Sequence, residues 1–241
     1  REFVEKLQPW PEHAGYSEAK MDELRARLAE TGLFTSAGVS LAPETQILGD
    51  ESDFPVRRDV DIKLIERERN TVALGASAST SEGIGLNGEY TIRNWSGWGD
   101  SVTVSGQVAS LQSFLETDYR LPNITKYGRN LKLTARAGNS QTDAYDQNTA
   151  TLGATLEEQL TPRLRGSIGV EGGYASIADE QARKVPGRTR RDLWLADIQG
   201  SAEYTGVRDI LDPVDGVRAR INVEPGVTYG DTTIAYTRLA G

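Results

Sequence analysis

From Asn70 to the last residue, apolar and polar side chains alternate at a period of two in strand-length stretches, and no helical period of 3.6 interrupts them. Such alternation puts successive side chains on opposite faces of a pleated ribbon, so the chain there can only build sheets with one apolar face. In "TVALGASAS", Val72, Leu74, Ala76 and Ala78 share a face; in "IGLNGEYTIRNW", Leu86, Tyr90 and Ile92 do, against Glu89, Thr91 and Arg93. The pattern predicts strands over 71–79, 84–95, 101–111, 114–121, 130–139, 149–160, 163–174, 192–204, 217–227 and 232–239. Turn-forming residues separate most of them, as in "WSGWGD" and "LTPR", and only 178–191 is a long charged connection. About ten antiparallel strands without helices specify a sandwich or a barrel.

The choice between those two rests on what each face carries. No apolar run approaches the ~20 residues of a membrane-spanning helix, but a transmembrane strand needs only ~9–11 residues with one apolar face. Leu131, Leu133, Ala135 and Ala137 oppose Lys132, Thr134 and Arg136; Val217, Ala219, Ile221 and Val223 oppose Arg218, Arg220, Asn222 and Glu224. A soluble sandwich alternates too. Several strands, however, reach past ten residues and are flanked by Trp95, Trp98, Tyr119, Tyr127 and Tyr204, which suit interfacial girdles. A mainly β, antiparallel transmembrane barrel is the favoured architecture, and membrane lipid its surroundings.

Composition narrows the function. A net charge of -8 disfavours a nucleic-acid partner, which needs a basic face. Without cysteine and with His13 as the single histidine, thiolate metal sites, disulfides and His-based triads have no material. No cofactor, metal site or enzymatic activity is expected.

The first sixty-odd residues differ in kind. Ser17 precedes "EAKMDELRARLAETG" as a helix N-cap, Met21, Leu24 and Leu28 form one apolar stripe, and Gly32 sits where a left-handed C-terminal cap belongs. Segments 34–43 and 56–68 read as strands. The chain begins and ends inside such elements, as a fragment of a longer protein would.

Short motifs resolve into ordinary structure. Gly83, Gly85 and Gly88 spell G-x-G-x-x-G, but a dinucleotide site needs a helix to open there and "EYTIRNW" is a strand. These glycines are expected around the first hairpin turn, near 81–83, and inside the second strand. "SEAK" matches S-x-x-K without the companion motifs of penicillin-recognising enzymes, and Ser17 is accounted for as a cap. "NIT" at Asn123 is a sequon without a supporting context. Glu157 and Glu158 alternate across a strand and cannot share acid–base work.

"YSEAKMDELRARLAETGLFTSAGVSL", with Gly32 and Phe34, resembles the end of a POTRA domain, and "LIERERNTVALGASASTSEGIGL" resembles a POTRA-to-barrel junction. "ETDYRLPN", with Tyr119 and Pro122, and "DILDPVDGVRARINVEPG", with Asp212, Pro213, Gly216 and Gly226, are similar to the barrel that follows. Together they resemble the BamA/TamA superfamily of outer-membrane assembly factors, and most of all its TamA-type translocation and assembly module subunit. The resemblance implies a POTRA portion over 1–68, lacking its first strand, and about the first ten strands of a sixteen-stranded barrel over 69–241. The family's R-G-F/Y lumen loop would lie beyond Gly241.

It further implies a bacterial outer-membrane location, in outer-membrane lipid, with the POTRA portion in the periplasm. Client outer-membrane proteins and a periplasmic or inner-membrane partner follow from the same likeness. The family opens a weak seam at its first barrel strand, where a client strand adds by β-augmentation. The corresponding edge here is Thr71, Val72, Ala73, Leu74, Gly75, Ala76, Ser77, Ala78 and Ser79, whose small side chains offer a partner little packing; barrel curvature accounts for them equally. A two-partner-secretion-type pore and a soluble β-rich binding module are the rival readings.

Overall fold

The computed structural model describes residues 2–11, 14–42, 59–79, 83–141, 145–179, 190–206, 216–230 and 233–241. It divides into two compact units, one of residues 1–69 with 93–99 and one of residues 70–92 with 100–241.

The first unit holds helices α1 (Glu2–Leu7) and α2 (Glu18–Glu30) and strands β1 (Phe34–Leu41) and β2 (Val60–Glu66), which pair antiparallel. Its core is the expected stripe of α2, Met21, Leu24 and Leu28, buried with Leu7, Val39 and Ala42. Burying a valine, leucine or methionine side chain is worth roughly 1.5–3 kcal/mol, so Leu7, Met21, Leu24, Leu28 and Val39 do most to hold the unit together. Gly32, at φ +69°, follows α2 and turns the chain into β1. Ser17 stands at the N-cap in an extended conformation, but its hydroxyl makes no capping bond. The first amides of the helix reach its carbonyl instead, Lys20 and Met21 each at 3.2 Å. Helix α1 is an addition to the sequence reading; six residues are too few for a readable period, and Arg27 secures its end by donating to the Leu7 carbonyl at 3.1 Å.

The second unit is a meander of ten antiparallel strands, each paired with the next in sequence. They are β3 (Asn70–Ser79), β4 (Gly83–Arg93), β5 (Ser101–Ala109), β6 (Gln112–Leu121), β7 (Arg129–Gln141), β8 (Tyr145–Thr161), β9 (Leu164–Asp179), β10 (Arg191–Thr205), β11 (Arg218–Tyr229) and β12 (Ile234–Ala240). Every predicted strand is present. The sheet is open, with β3 and β12 at its two edges among the described residues. β8 and β9 extend several residues beyond their predicted ends. Asp146, Gln147 and Asn148 are polar on both faces, which hides the alternation although they pair in register with Ala178, Ile177 and Ser176. The second predicted strand of the first unit is present over Val60–Glu66, and its predicted start at Val56 falls in 43–58, outside the described residues.

Candidate functional site

The registers of β3 with β4 and of β5 through β12 carry one parity of side chains onto one face, and the Thr91 and Thr103 hydroxyls, 3.1 Å apart, join the opposite faces of β4 and β5. Val72 faces Tyr90, Ala76 faces Leu86, Leu115 faces Ala137, Leu152 faces Gly172, Val170 faces Ile198 and Ala202 faces Ile221. This apolar face is open: Leu74 is 85% exposed, Leu86 63% and Trp194 62%. Large apolar side chains left uncovered across a ten-stranded sheet fit hydrocarbon and not water. The opposite face carries most of the charges; those on the apolar parity, Arg129, Asp146, Glu158 and Asp192, lie at strand ends.

Aromatic residues bracket the apolar face. Tyr90, Tyr119 and Tyr204 lie toward the end where β3 begins, and Tyr174, Trp194 and Tyr229 toward the other. Tyr204 and Trp194 stand ten residues apart on β10. That is about 33 Å along a strand at ~3.3 Å per residue, foreshortened by a ~40° tilt to about 25 Å, the height of a barrel's apolar band. Trp95 and Trp98, expected in a girdle, belong instead to the first unit, where the Lys6 ammonium sits 4.2 Å from the Trp98 ring centre.

Of the two edge strands among the described residues, β3 and β12, β3 pairs only with β4 and carries no charged residue, whereas β12 carries Arg238. The Arg93 amide donates to the Arg69 carbonyl at 2.7 Å in the same register that joins β3 to β4. Hydrogen-bonded and non-bonded pairs alternate in an antiparallel ladder. Thr71, Ala73, Gly75 and Ser77 therefore direct their backbone groups to β4, and Val72, Leu74, Ala76 and Ala78 direct theirs to the free edge. The four edge-facing backbones belong to the residues of the apolar face.

Side chains tie β3 to β4 only lightly. β3 contains no charged residue, so it can form no side-chain ion pair. Its contacts to β4 include a bond from the Tyr90 hydroxyl to Asn70 Oδ1 at 3.1 Å. On the polar face, glycine meets a short polar side chain: Gly75 lies under Asn87, and Gly85 under Ser77. A Cβ at Gly75 would stand 2.6 Å from Asn87 Oδ1, and one at Gly85 2.9 Å from Ser77 Oγ. On the apolar face Gly88 receives Leu74, whose Cδ2 would be 3.3 Å from a Cβ there. The three glycines of the G-x-G-x-x-G thus all lie in β4, and the strand itself, not a helix, continues from them. Its turn residues 80–82 lie outside the described residues.

The strands from β6 onward are braced differently. Between β6 and β7, Glu116 pairs with Arg136 at 2.9 Å and Asp118 with Lys132 at 3.0 Å, while Thr134 donates to Asp118 at 2.7 Å. The Arg136 guanidinium also lies 4.1 Å from the Phe114 ring centre. Glu203 of β10 binds Arg218 and Arg220 of β11, at 2.6 and 3.1 Å, and Glu224 of β11 binds Arg238 of β12 at 2.6 Å. Cross-strand pairs contribute about 0.2–1 kcal/mol each, so several in series hold neighbouring strands in one register.

The remaining motif residues are dispersed. Gly32 and Phe34 lie in the first unit; Tyr119 is on the apolar face of β6 opposite Leu133; Pro122 follows β6; and Gly216, at φ 140°, precedes β11. Tyr119, Pro122 and Gly216 do not share a site with β3. Asp212, Pro213 and His13 lie outside the described residues. Sequence reasoning missed Asn87, whose place over Gly75 depends on the register of the hairpin.

Residues 94–241 match the Omp85 superfamily domain. The fold is similar to that of BamA from Haemophilus ducreyi, solved without POTRA domains 1–3. The TM-score is 0.72 at 18% identity, over 95% of this chain and 46% of that one. CdiB from Acinetobacter baumannii aligns at a TM-score of 0.49 and 13% identity, over 95% of this chain and 50% of that one. The chain spans about half the length of either structure.

Proposed function

The chain belongs to the Omp85 superfamily, and from that premise we propose that it is part of an outer-membrane factor that inserts or translocates client β-strand proteins at the β3 edge. The observation that carries this reading is the edge itself: outward-facing backbone at Val72, Leu74, Ala76 and Ala78 on a strand without charges. Such an edge offers an extended segment a ladder of main-chain hydrogen bonds, while its small side chains give little to hold the segment afterwards. The client leaves as easily as it enters. The apolar face then supplies the hydrocarbon-facing surface and the charged face the lumen.

Residues 1–68 act, in this reading, as the end of a periplasmic POTRA segment, and the protein is of the TamA type, working with a periplasmic or inner-membrane partner. The chemistry is strand pairing, without an enzymatic step. The polar, charged inner face also favours a second reading, a two-partner-secretion-type pore through which an unfolded substrate passes.

A cysteine at Ala76, in the full-length protein in its native membrane, tests the first reading against a cysteine series in the terminal strand of an outer-membrane protein being assembled. A disulfide during assembly supports it, and no disulfide at any client position sinks it. Stable ion conductance of the full-length barrel, with secretion of one dependent substrate and no such disulfide, establishes the pore.

A further inference from the structure

We propose that Asn87, a residue of β4 and not of the edge strand, reads the register of any strand that pairs with β3; this rests on the reading of β3 as a client-receiving edge. Gly75 directs its own backbone to β4, so on its free side it can form only a non-hydrogen-bonded pair with a strand added antiparallel to β3. In such a pair the two Cα atoms approach to about 4.5 Å and the side chains crowd together. Gly75 brings no side chain to that pair. The Asn87 carboxamide occupies the space instead, its Oδ1 2.6 Å and its Nδ2 3.0 Å from where a Cβ at Gly75 would stand.

The groups beside Gly75 on the polar face of β3, Ala73 and Ser77, do not compete for this role. Ser77 leans inward over Gly85, and Ala73 presents a methyl group. Asn87 is exposed, and its side chain forms no hydrogen bond among the described residues. Its two donors and its acceptor oxygen remain available to whatever side chain faces Gly75.

A transmembrane strand entering in the correct register presents a lumen-side residue at that position, which is polar. Slipped by one residue, it presents a lipid-side residue, because a one-residue slip turns every side chain to the other face. The carboxamide then meets an apolar group and both partners lose their solvation without a bond. The ligand chemistry is thus a hydroxyl or carboxamide side chain facing Gly75, and Asn87 acts as a positioning residue for the client strand.

The test uses the full chain in lipid vesicles with Ala76→Cys and two synthetic ten-residue strand peptides alternating leucine and threonine. Each carries one cysteine for disulfide capture, and they differ only in threonine or isosteric valine at the position facing Gly75. A single hydrogen bond predicts that the threonine peptide is captured about fivefold more than the valine peptide. Asn87→Ala should bring the ratio to about one. Gly75→Ala, whose methyl displaces the carboxamide, should do the same while leaving Asn87 in place. Equal capture of the two peptides by the unsubstituted β3–β4 pair overturns the inference, as does a ratio unchanged by both substitutions. Absence of capture with either peptide overturns instead the reading of β3 as a receiving edge.

Discussion

The β3–β4 ribbon and the β6–β7 ribbon obey the same alternation and present the same apolar face, yet their polar faces are built to opposite ends. Glu116, Asp118, Lys132 and Arg136 lace β6 to β7 with ion pairs. Gly75, Ser77, Gly85 and Asn87 fill the matching positions of β3 and β4 with glycines, each facing a short uncharged polar side chain. Alternation makes a strand fit for the membrane, and the residues between the apolar ones decide how firmly it is held. Of the two edge strands among the described residues, β3 is the one without charge, while β12 is tied to β11 by Arg238 and Glu224.

The comparison can be broken at the edge itself. Leu74→Pro deletes an N–H that faces away from β4, so capture of a client strand should fall about tenfold or more while the β3–β4 pairing survives. Ala73→Pro deletes an N–H directed to β4 and should unravel the hairpin. Disulfide capture separates the first effect, and protease resistance of the membrane-embedded protein the second. Equal loss of hairpin stability in both variants would contradict the assigned backbone directions.

A smaller effect is expected in the interior. Glu116→Ala removes the partner of Arg136 and should lower resistance to urea unfolding by about 1 kcal/mol without changing client capture. The smallest sharpens the comparison by copying the interior onto the edge. Ala73 faces Glu89 across the polar face, so Ala73→Arg adds a rung like that of Glu116 and Arg136. It should stiffen the ribbon by about 0.2–1 kcal/mol and slow client exchange, read as the rate of disulfide turnover.

The ten strands were legible because one-sided burial imposes a period that survives without any register. Their ends were less so: Tyr145 to Asn148 belong to β8, but polar residues on both faces erase the pattern there. In the first unit the stripe of Met21, Leu24 and Leu28 identified α2, whereas α1 is only six residues long. The candidate edge came from likeness to a family and not from periodicity, since no local pattern tells an edge strand from a paired one. Asn87 was out of reach for a different reason. Its position over Gly75 exists only once Gly75 and Asn87 are set opposite one another by the hairpin. Trp98 illustrates the converse: a residue type suited to a membrane girdle packs with Lys6 in the first unit.

The central claim, that clients are received on the uncharged edge and not elsewhere in the sheet, is tested most directly by a single-cysteine scan. Cysteines are placed one at a time at Val72, Leu74, Ala76 and Ala78 of β3 and at Leu131, Leu133, Ala135 and Ala137 of β7. Each is then challenged with a client strand carrying its own cysteine during assembly. The account predicts disulfides from the β3 positions and none above background from β7. Equal yields from the two strands, or disulfides from β7 alone, would contradict it.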